Sequence, residues 1–370
     1  MNAQPQPRRF LIMAGGTGGH VYPALSVADE LRSRGHQISW IGTDRGIESK
    51  LVPEADIPLH KITVAGIRGK GLASKLRGVS GLFAAICQSK AIIKRVSPTA
   101  MIGFGGFVAG PGGVAAKLSR TPLAIHEQNA RAGSTNKILA RVANRVLSAF
   151  PNALPNAEVV GNPVRGELVD MPTPRERAEE KTGPFRLLVL GGSLGATYLN
   201  DTVAKALAMM TPQARPLVRH QCGKKWLEDC QSAYEAVGVD AEVVPYIEDM
   251  SEAYGWADFL VCRAGAMTVA EVAIAGVPAL FVPFPFAIDD HQTANANWLV
   301  QEQGAICIQQ SELTPERMKE VITEFMGSRE SLVEMGERNQ KVAISNAAGR
   351  IADCCEALAN QSDRGLNHVA

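Results

Sequence analysis

The residues most able to do chemistry sit in short glycine-bearing segments. The stretch "AGGTGGHVYPAL" sets Gly15, Gly16, Gly18 and Gly19 around Thr17 and places His20 directly after them. The stretch "GGSLGA" repeats the G-G-x-x-G spacing at Gly191, Gly192 and Gly195. A turn from the carboxyl end of a strand into a helix exposes backbone N–H groups and the positive end of the helix dipole, and glycine lets an anion approach closely. Each turn is therefore a candidate anion site, and equally a tight turn that packs a strand on a helix. A histidine at such a helix start either exchanges a proton near neutral pH or caps the turn. Neither turn completes the dinucleotide fingerprint: Gly16 and Gly18 fit it, but Val21 stands where its last glycine or alanine belongs. No G-x-x-x-x-G-K-[ST] occurs, which excludes a P-loop.

A third glycine-led segment, "RAGAMTVAEVAIAGVP", reads as a turn at Gly265 and Ala266 entering a helix, with Thr268 near its start and Glu271 about one turn in. That helix start favours phosphate. Glu271 suits a pair of ribose hydroxyls, or simply the helix dipole. In "HEQN", Glu127 is a candidate base or a structural partner for an arginine or a backbone amide, and His126 reads as a core residue. Asp289 and Asp290 read as a solvated turn, and no metal is expected.

Elements of alternating type must position these groups. "RFLIM", "QISWIG", "TAMIGF", "PLAIHE", "RVLSAF", "RLLVL", "AEVVPY", "DFLVCR" and "PALFVPF" read as strands, with helix-like runs between them. Such alternation predicts parallel sheets built from right-handed βαβ units. The strand–glycine turn–helix plan that begins at Arg8 recurs from Pro184, so two similar α/β domains are expected in tandem. The first helix is expected from about Tyr22. The boundary falls in the polar, proline-bearing Gly161–Phe185 stretch, giving domains of residues 1–164 and 165–345. A terminal helix is expected from about Asn346 to Asn360, packing back on the first domain, with a loose tail beyond it.

The 370 residues are 46% hydrophobic, enough for two buried cores. Lys plus Arg is 38 against 37 for Asp plus Glu, so bulk charge does not point to nucleic acid. Seven cysteines without a C-x-x-C pair form neither a disulfide framework nor a zinc pattern, and reduced thiols are expected. The five-residue apolar run near the N-terminus is too short for a signal peptide. "MIGFGGFVAGPGGVAA" carries too many glycines for a membrane span.

Taken together, "GGTGGHVYPAL", "GFGGFVAGPGG", "HEQNARAGSTNK", "VVGNPVR", "GGSLGA", "CRAGAMTVAEVAIAGVPALFVPFP" and "DDHQTANA" give the chain a specific likeness. From about Arg8 to beyond Arg350 it resembles the peptidoglycan glycosyltransferases that convert lipid I to lipid II. The resemblance implies two Rossmann-like domains whose parallel sheets face across a cleft (the GT-B fold). It implies an inverting transfer of N-acetylglucosamine from UDP-N-acetylglucosamine to the 4-hydroxyl of N-acetylmuramic acid in undecaprenyl-pyrophosphoryl-MurNAc-pentapeptide. The acceptor belongs on the first domain and the nucleotide mainly on the second, with no cofactor. Such a displacement needs a base and a hold on the leaving UDP, not a covalent nucleophile. His20 is the first choice for the base and Glu127 the second. For the donor, the resemblance implies contacts from Thr17, Gly18 and Gly19, whose glycines leave room for the diphosphate and acceptor, and Asn129 and Gln292 at the sugar. It implies Arg165 and Ser193 at the diphosphate, Ile247 at the uracil, and Ala266, Met267, Thr268, Val269, Ala270 and Glu271 along the helix.

A lipid acceptor stays in its bilayer, which gives the segment Gly71–Arg95 a second meaning. Leu72, Leu76, Val79, Leu82, Phe83 and Ile86 recur at helical spacing, flanked by Lys70, Lys75, Arg77, Lys90, Lys94 and Arg95. The pattern alone fits a core-facing helix with a basic outer side. A lipid-linked acceptor favours instead a helix lying on an anionic membrane, at the cytoplasmic face of the inner membrane, with Arg131, Lys137, Arg141 and Arg145 extending the basic face. Further cell-wall synthesis proteins are possible partners. Competing readings are a UDP-sugar transferase acting on diacylglycerol, a UDP-N-acetylglucosamine 2-epimerase of the same fold, and a non-catalytic nucleotide-sugar-binding subunit. A dehydrogenase is disfavoured by the incomplete fingerprint.

Overall fold

A computed structural model describes residues 7–64, 72–192 and 195–367. The chain divides into two compact units, Met1–Val164 with Asn346–Ala370, and Arg165–Ser345.

The first unit carries β1 (Arg9–Met13), β2 (Gln37–Gly42), β3 (Leu59–Lys61), β4 (Ala100–Gly103), β5 (Leu123–Glu127), β6 (Arg145–Ser148) and β7 (Glu158–Val159). They pair in the order β3-β2-β1-β4-β5-β6-β7, all parallel. Phe10 of β1 lies beside Ile38 on one side and Ala100 on the other. A parallel sheet is covered on both faces, which is why its strands read as continuous apolar runs. Phe10 and Ile12 pack on one face with Val21, Ala24 and Leu31 of the first helix and Ile351 and Leu358 of the terminal helix. Leu11 and Met13 pack on the other with Ile92, Ile93 and Val108.

Two helix boundaries differ from the sequence expectation. The first helix is Gly18–Ser33, not one that begins at Tyr22. Thr17 is its N-cap residue, and its carbonyl accepts the N–H groups of His20 and Val21 at 3.1 and 3.2 Å, so half of the glycine-rich stretch is helix. The terminal helix runs Ala347–Asn367, through most of the expected tail. No proline interrupts that stretch, and extending an existing helix orders only one residue at a time. Arg34 holds Asp353 and Glu356 of this helix at 2.6 and 3.0 Å, and His36 Nε2 meets Glu356 at 2.8 Å.

The second unit carries β8 (Arg186–Leu190), β9 (Leu217–Gln221), β10 (Glu242–Val244), β11 (Phe259–Cys262), β12 (Ala279–Phe281) and β13 (Ala305–Cys307). Their order is β10-β9-β8-β11-β12-β13, again all parallel. In each sheet the strand order reverses beside the strand that leads into a glycine turn, between β1 and β4 and between β8 and β11. Open α/β sheets bind ligands at the carboxyl ends of the strands at such a point. The boundary stretch also holds two short helices, Gly166–Val169 and Pro174–Glu180, the second opened by a Thr173–Glu176 capping box.

Candidate active site

At the reversal point of the first sheet, His20 lies over the turn that follows β4. Its Nδ1 is 3.2 Å from the hydroxyl of Thr17, so the N-cap residue fixes the ring. Gly105 and Gly106 have φ of 84° and 74°. A Cβ on Gly105 would lie 3.4 Å from His20 Nε2 and 3.3 Å from Asn136 Nδ2, and one on Gly106 would press on the Gly15 carbonyl at 2.8 Å. Both the left-handed backbone and the close approach require glycine here. His20 is half-buried, with Nδ1 towards Thr17 and Nε2 towards Gly105.

Glu127 ends β5 and is 2% exposed. Its Oε1 accepts the N–H of Asn129 at 3.0 Å and the side-chain amide of Asn129 at 3.3 Å. Its Oε2 accepts Gly133 N–H at 3.1 Å and Asn136 Nδ2 at 2.9 Å. Four donors on two oxygens make Glu127 the brace of the loop after β5, and the geometry argues against it as the base. Asn129 belongs to the same brace. His126 is buried; Nε2 donates to the Gly161 carbonyl at 2.9 Å, Nδ1 accepts from Gln128, and burial pushes its pKa down to about 4.

Gly16 N–H donates to Oε2 of Glu48 at 3.0 Å. Glu48, Asn136 and the Gly105–Gly106 pair were not singled out by the sequence reading. Their partners come from other strands, and only strand order reveals them.

In the second unit the glycine-led helix is Ala266–Ala275, with Gly265 as its N-cap. Ala266, Met267 and Thr268 precede the first intrahelical bond, Val269 N–H to the Gly265 carbonyl at 2.9 Å. Val269 and Ala270 are 0% and 7% exposed. The N–H of Val269 is taken by Gly265, and the side chains of these two residues serve the core. Glu271 is partly buried, and loss of water around its carboxyl pushes its pKa up to about 7. The hydroxyl of Tyr254, itself fully buried, donates to Glu271 Oε2 at 3.1 Å. That hydrogen bond and the charge of Arg165 act against the rise. Tyr254 is a further residue that the sequence does not mark, because "EAYGWAD" looks like an ordinary amphipathic helix.

Arg165 donates to the Glu248 carbonyl at 3.2 Å and to the Tyr246 hydroxyl at 3.3 Å, which ties it to the loop of Ile247. Gln292 Oε1 accepts Phe284 N–H at 2.9 Å and Ala264 N–H at 3.3 Å, joining the loops after β11 and β12. Arg165, Ile247 and Gln292 therefore stand on loops or helix starts at the carboxyl end of this sheet, and Glu271 lies in the second turn of the helix that follows β11. Ser193 lies outside the described residues. Asp289 and Asp290 are exposed, with φ of 53° and 51°. Among the described residues no group of three or more His, Cys, Asp or Glu could hold a metal ion.

The basic segment forms the helix Leu72–Val96. Val79, Leu82 and Phe83 are 67%, 45% and 68% exposed, while Ala85, Ile92 and Ile93 fill the core. Ile86 packs against that core instead of joining the outer face, because it lies nearer the Ala85–Ser89 side of the helix. The side chains of Leu72, Lys75 and Leu76, and all of Lys70, lie outside the described residues. Among the described residues no helix is long and apolar enough to cross a membrane.

Comparison with known proteins gives these geometries a context. The glycosyltransferase family 28 N-terminal domain matches residues 10–148, and the glycosyltransferase family 28 C-terminal domain matches residues 186–351. The UDP-N-acetylglucosamine–N-acetylmuramyl-(pentapeptide) pyrophosphoryl-undecaprenol N-acetylglucosamine transferase of Ralstonia nicotianae is 48% identical over 356 residues, 95% of this chain and 97% of that protein. The crystal structure of MurG from Acinetobacter baumannii superposes with a TM-score of 0.85 at 41% identity, covering 95% of this chain and all of that one. A UDP-GlcNAc 2-epimerase from Neisseria meningitidis has a TM-score of 0.66 over 93% of this chain and 98% of its own, at 11% identity, a likeness of fold alone.

Proposed function

The chain belongs to the glycosyltransferase family 28 enzymes that transfer N-acetylglucosamine to N-acetylmuramyl-(pentapeptide) pyrophosphoryl-undecaprenol, and from that membership we propose how its residues divide the work. It is a hexosyltransferase of peptidoglycan synthesis that uses UDP-N-acetylglucosamine to convert lipid I to lipid II. The donor's α-linkage becomes β in a single in-line displacement at C1. The 4-hydroxyl of N-acetylmuramic acid attacks, its proton leaves to a base, and UDP departs with the bonding pair.

His20 is the base. The observation that carries this is its place at the reversal point of the first sheet, with Nδ1 against the Thr17 hydroxyl and Nε2 on the opposite side of the ring. With Nδ1–H donating to Thr17, Nε2 takes the hydroxyl proton. Thr17, Gly18 and Gly19 form the start of the same helix and lie beside the reacting sugars. In the second unit, Ala266, Met267 and Thr268 meet the diphosphate through their N–H groups, and Arg165 adds its charge. Ser193, in the second glycine turn, adds a hydroxyl to the diphosphate. Glu271 accepts from the ribose hydroxyls, the backbone at Ile247 reads uracil, and Gln292 and Asn129 meet the donor sugar.

The helix Leu72–Val96 sets the enzyme on the membrane that holds its acceptor. Val79, Leu82 and Phe83 project from it, with Lys90, Lys94 and Arg95 also exposed. From Ile57 to Ala157 the chain has one carboxylate, the buried Glu127, among many lysines and arginines. Each cation near an anionic surface contributes about 1 kcal/mol. The enzyme is thus peripheral, at the cytoplasmic face of the inner membrane.

Labelled UDP-N-acetylglucosamine offered with either a short-chain lipid I analogue or diacylglycerol tests the acceptor. Label entering a disaccharide-pyrophosphoryl lipid is the expected result. Label entering diacylglycerol, or N-acetylmannosamine appearing from the donor alone, would favour the rival transferase or the epimerase.

A further inference from the structure

Three glycines of the first unit, one after β1 and two at the end of β2 and beyond, leave space for a single carboxylate. A Cβ on Gly15 would come within 2.6 Å of Glu48 Oε1, and one on Gly42 within 2.8 Å of Glu48 Cγ. One on Gly46 would strike the carboxylate directly. Glu48 opens the short helix Glu48–Glu54 and is fully buried. An acid that served only the dipole of that helix would stay in water. Glu48 instead turns back to the first glycine turn. Its Oε2 accepts the N–H of Gly16 at 3.0 Å, and its Oε1 accepts the N–H and the hydroxyl of Thr43 at 3.0 and 2.8 Å. Three donors and no acceptor face it, the surroundings of a carboxylate. Among the described residues no lysine, arginine or histidine pairs with it.

The turn that Glu48 holds carries the base. Gly16 has a φ of 96°, and the next residue, Thr17, is the N-cap of the first helix and meets His20 Nδ1 with its hydroxyl at 3.2 Å. Glu48 thus reaches His20 through two residues, by its bond to Gly16 N–H and by the Thr17 hydroxyl on the ring. The turn has no slack to absorb a displacement. Val108 Cγ2 stands 2.9 Å from where a Cβ on Gly15 would be. The turn after β4 presses on it as well: a Cβ on Gly106 would lie 2.8 Å from the Gly15 carbonyl and 3.8 Å from His20 Nδ1. A change of shape at Gly16 is therefore passed on to Thr17 and His20.

We propose that Glu48 is a positioning residue for the base: it fixes the glycine turn that aims His20 and, being fully buried, touches neither substrate. The inference rests on the reading of His20 as the base. An amide at position 48 would not replace the carboxylate. Its one carbonyl oxygen could serve Gly16 or the Thr43 pair but not both, and its NH2 group would face donors. The turn must then shift, and a misplacement of about 1 Å at a reacting group costs on the order of 10²-fold in rate.

The test is a double-variant cycle in the full-length chain: Glu48→Gln, His20→Ala and the two together, assayed with UDP-N-acetylglucosamine and a short-chain lipid I analogue. Glu48→Gln is expected to lower kcat about 10–100-fold, with the affinity for UDP, a ligand of the second unit, unchanged. In the His20→Ala background the same change should cost less than about twofold, because the base it aims is gone. A purely structural role would cost the same factor in both backgrounds, and that result overturns the proposal. Wild-type kcat in Glu48→Gln overturns it too, as does a loss of UDP affinity as large as the loss of kcat. If Glu48→Gln does not fold, Thr43→Val removes one donor and keeps the carboxylate. That change should lower kcat about three- to tenfold in wild type and leave His20→Ala unaffected. Equal losses in the two backgrounds, or none in either, overturn the proposal. His20→Ala alone reports on the base: turnover within about tenfold of wild type in that variant sinks the reading of His20, whatever Glu48→Gln does.

Discussion

Donor binding should depend on pH through one carboxyl group. Loss of water pushes Glu271 up to about 7, from an ordinary value of 4.5, in the protein without donor. The ribose hydroxyls are best accepted by the ionised form, so donor affinity scales with the ionised fraction. At a pKa of about 7, roughly one carboxyl in eleven is ionised at pH 6 and about ten in eleven at pH 8. The dissociation constant for UDP-N-acetylglucosamine should therefore rise about tenfold from pH 8 to pH 6, or about 1.4 kcal/mol. Calorimetric titration between pH 5.5 and 8.5 measures this. The nucleotide sugar is the right probe because its diphosphate is a diester without an ionisation in that range. Binding is preferred to turnover because histidines titrate in the same window. Glu271→Gln should bind the donor about 10–100-fold more weakly at pH 8, the value of charge-assisted hydrogen bonds, and its profile should be flat. A wild-type affinity that is flat across the range refutes the reasoning, and so does a slope that survives in Glu271→Gln. The stability sign follows. The raised pKa gives stability that is complete below pH 4.5 and is lost as pH rises through 7, so donor should raise the melting temperature more at pH 8 than at pH 6.

Three further expectations follow from single side chains. Tyr254→Phe removes the hydroxyl on Glu271 Oε2 and should raise the KM for UDP-N-acetylglucosamine several-fold, about 0.5–1.5 kcal/mol, with kcat at saturating donor retained. It should also move the midpoint of the binding profile to higher pH, since that hydrogen bond favours the ionised form. Glu127→Gln should lower the melting temperature, at a cost of about 1–3 kcal/mol for each donor left unpaired, with turnover within tenfold of wild type. A thousandfold loss of turnover at an unchanged melting temperature would make Glu127 the base instead. Phe83→Asp, on an exposed position, should leave stability and turnover of a water-soluble acceptor intact while reducing cosedimentation with anionic vesicles; undiminished vesicle binding would place the membrane contact elsewhere.

The sequence carried the layered architecture because buried parallel strands announce themselves as apolar runs between glycine-led helices. "RFLIM" and "DFLVCR" are examples. It did not disclose β9, where Arg219 and His220 interrupt the apolar pattern. Arg219 is matched by Glu242 and Glu252 at 2.8 and 2.7 Å and lies over the Trp256 ring at 4.5 Å. His220 is buried between Tyr234 at 2.8 Å and Asn200 at 3.0 Å, and burial pushes its pKa down to about 3. The site was legible to the same extent. His20 and Glu271 stand out because they follow glycines at helix starts. Glu48 carries no such mark, since "GIESK" looks like any solvated loop until Gly16 and Thr43 close on it. The choice between His20 and Glu127 likewise depends on Asn136 and Gly133, contacts that spacing along the chain does not encode.

The most direct test of the central claim is UDP release from UDP-N-acetylglucosamine with and without a short-chain lipid I analogue, for wild type and His20→Ala. The account expects release that depends on the lipid I analogue. In the variant, turnover should fall on the order of 10²–10⁴-fold while donor affinity persists. Turnover within tenfold of wild type in His20→Ala would contradict the assignment of the base, and release indifferent to the lipid I analogue in wild type would contradict the reaction itself.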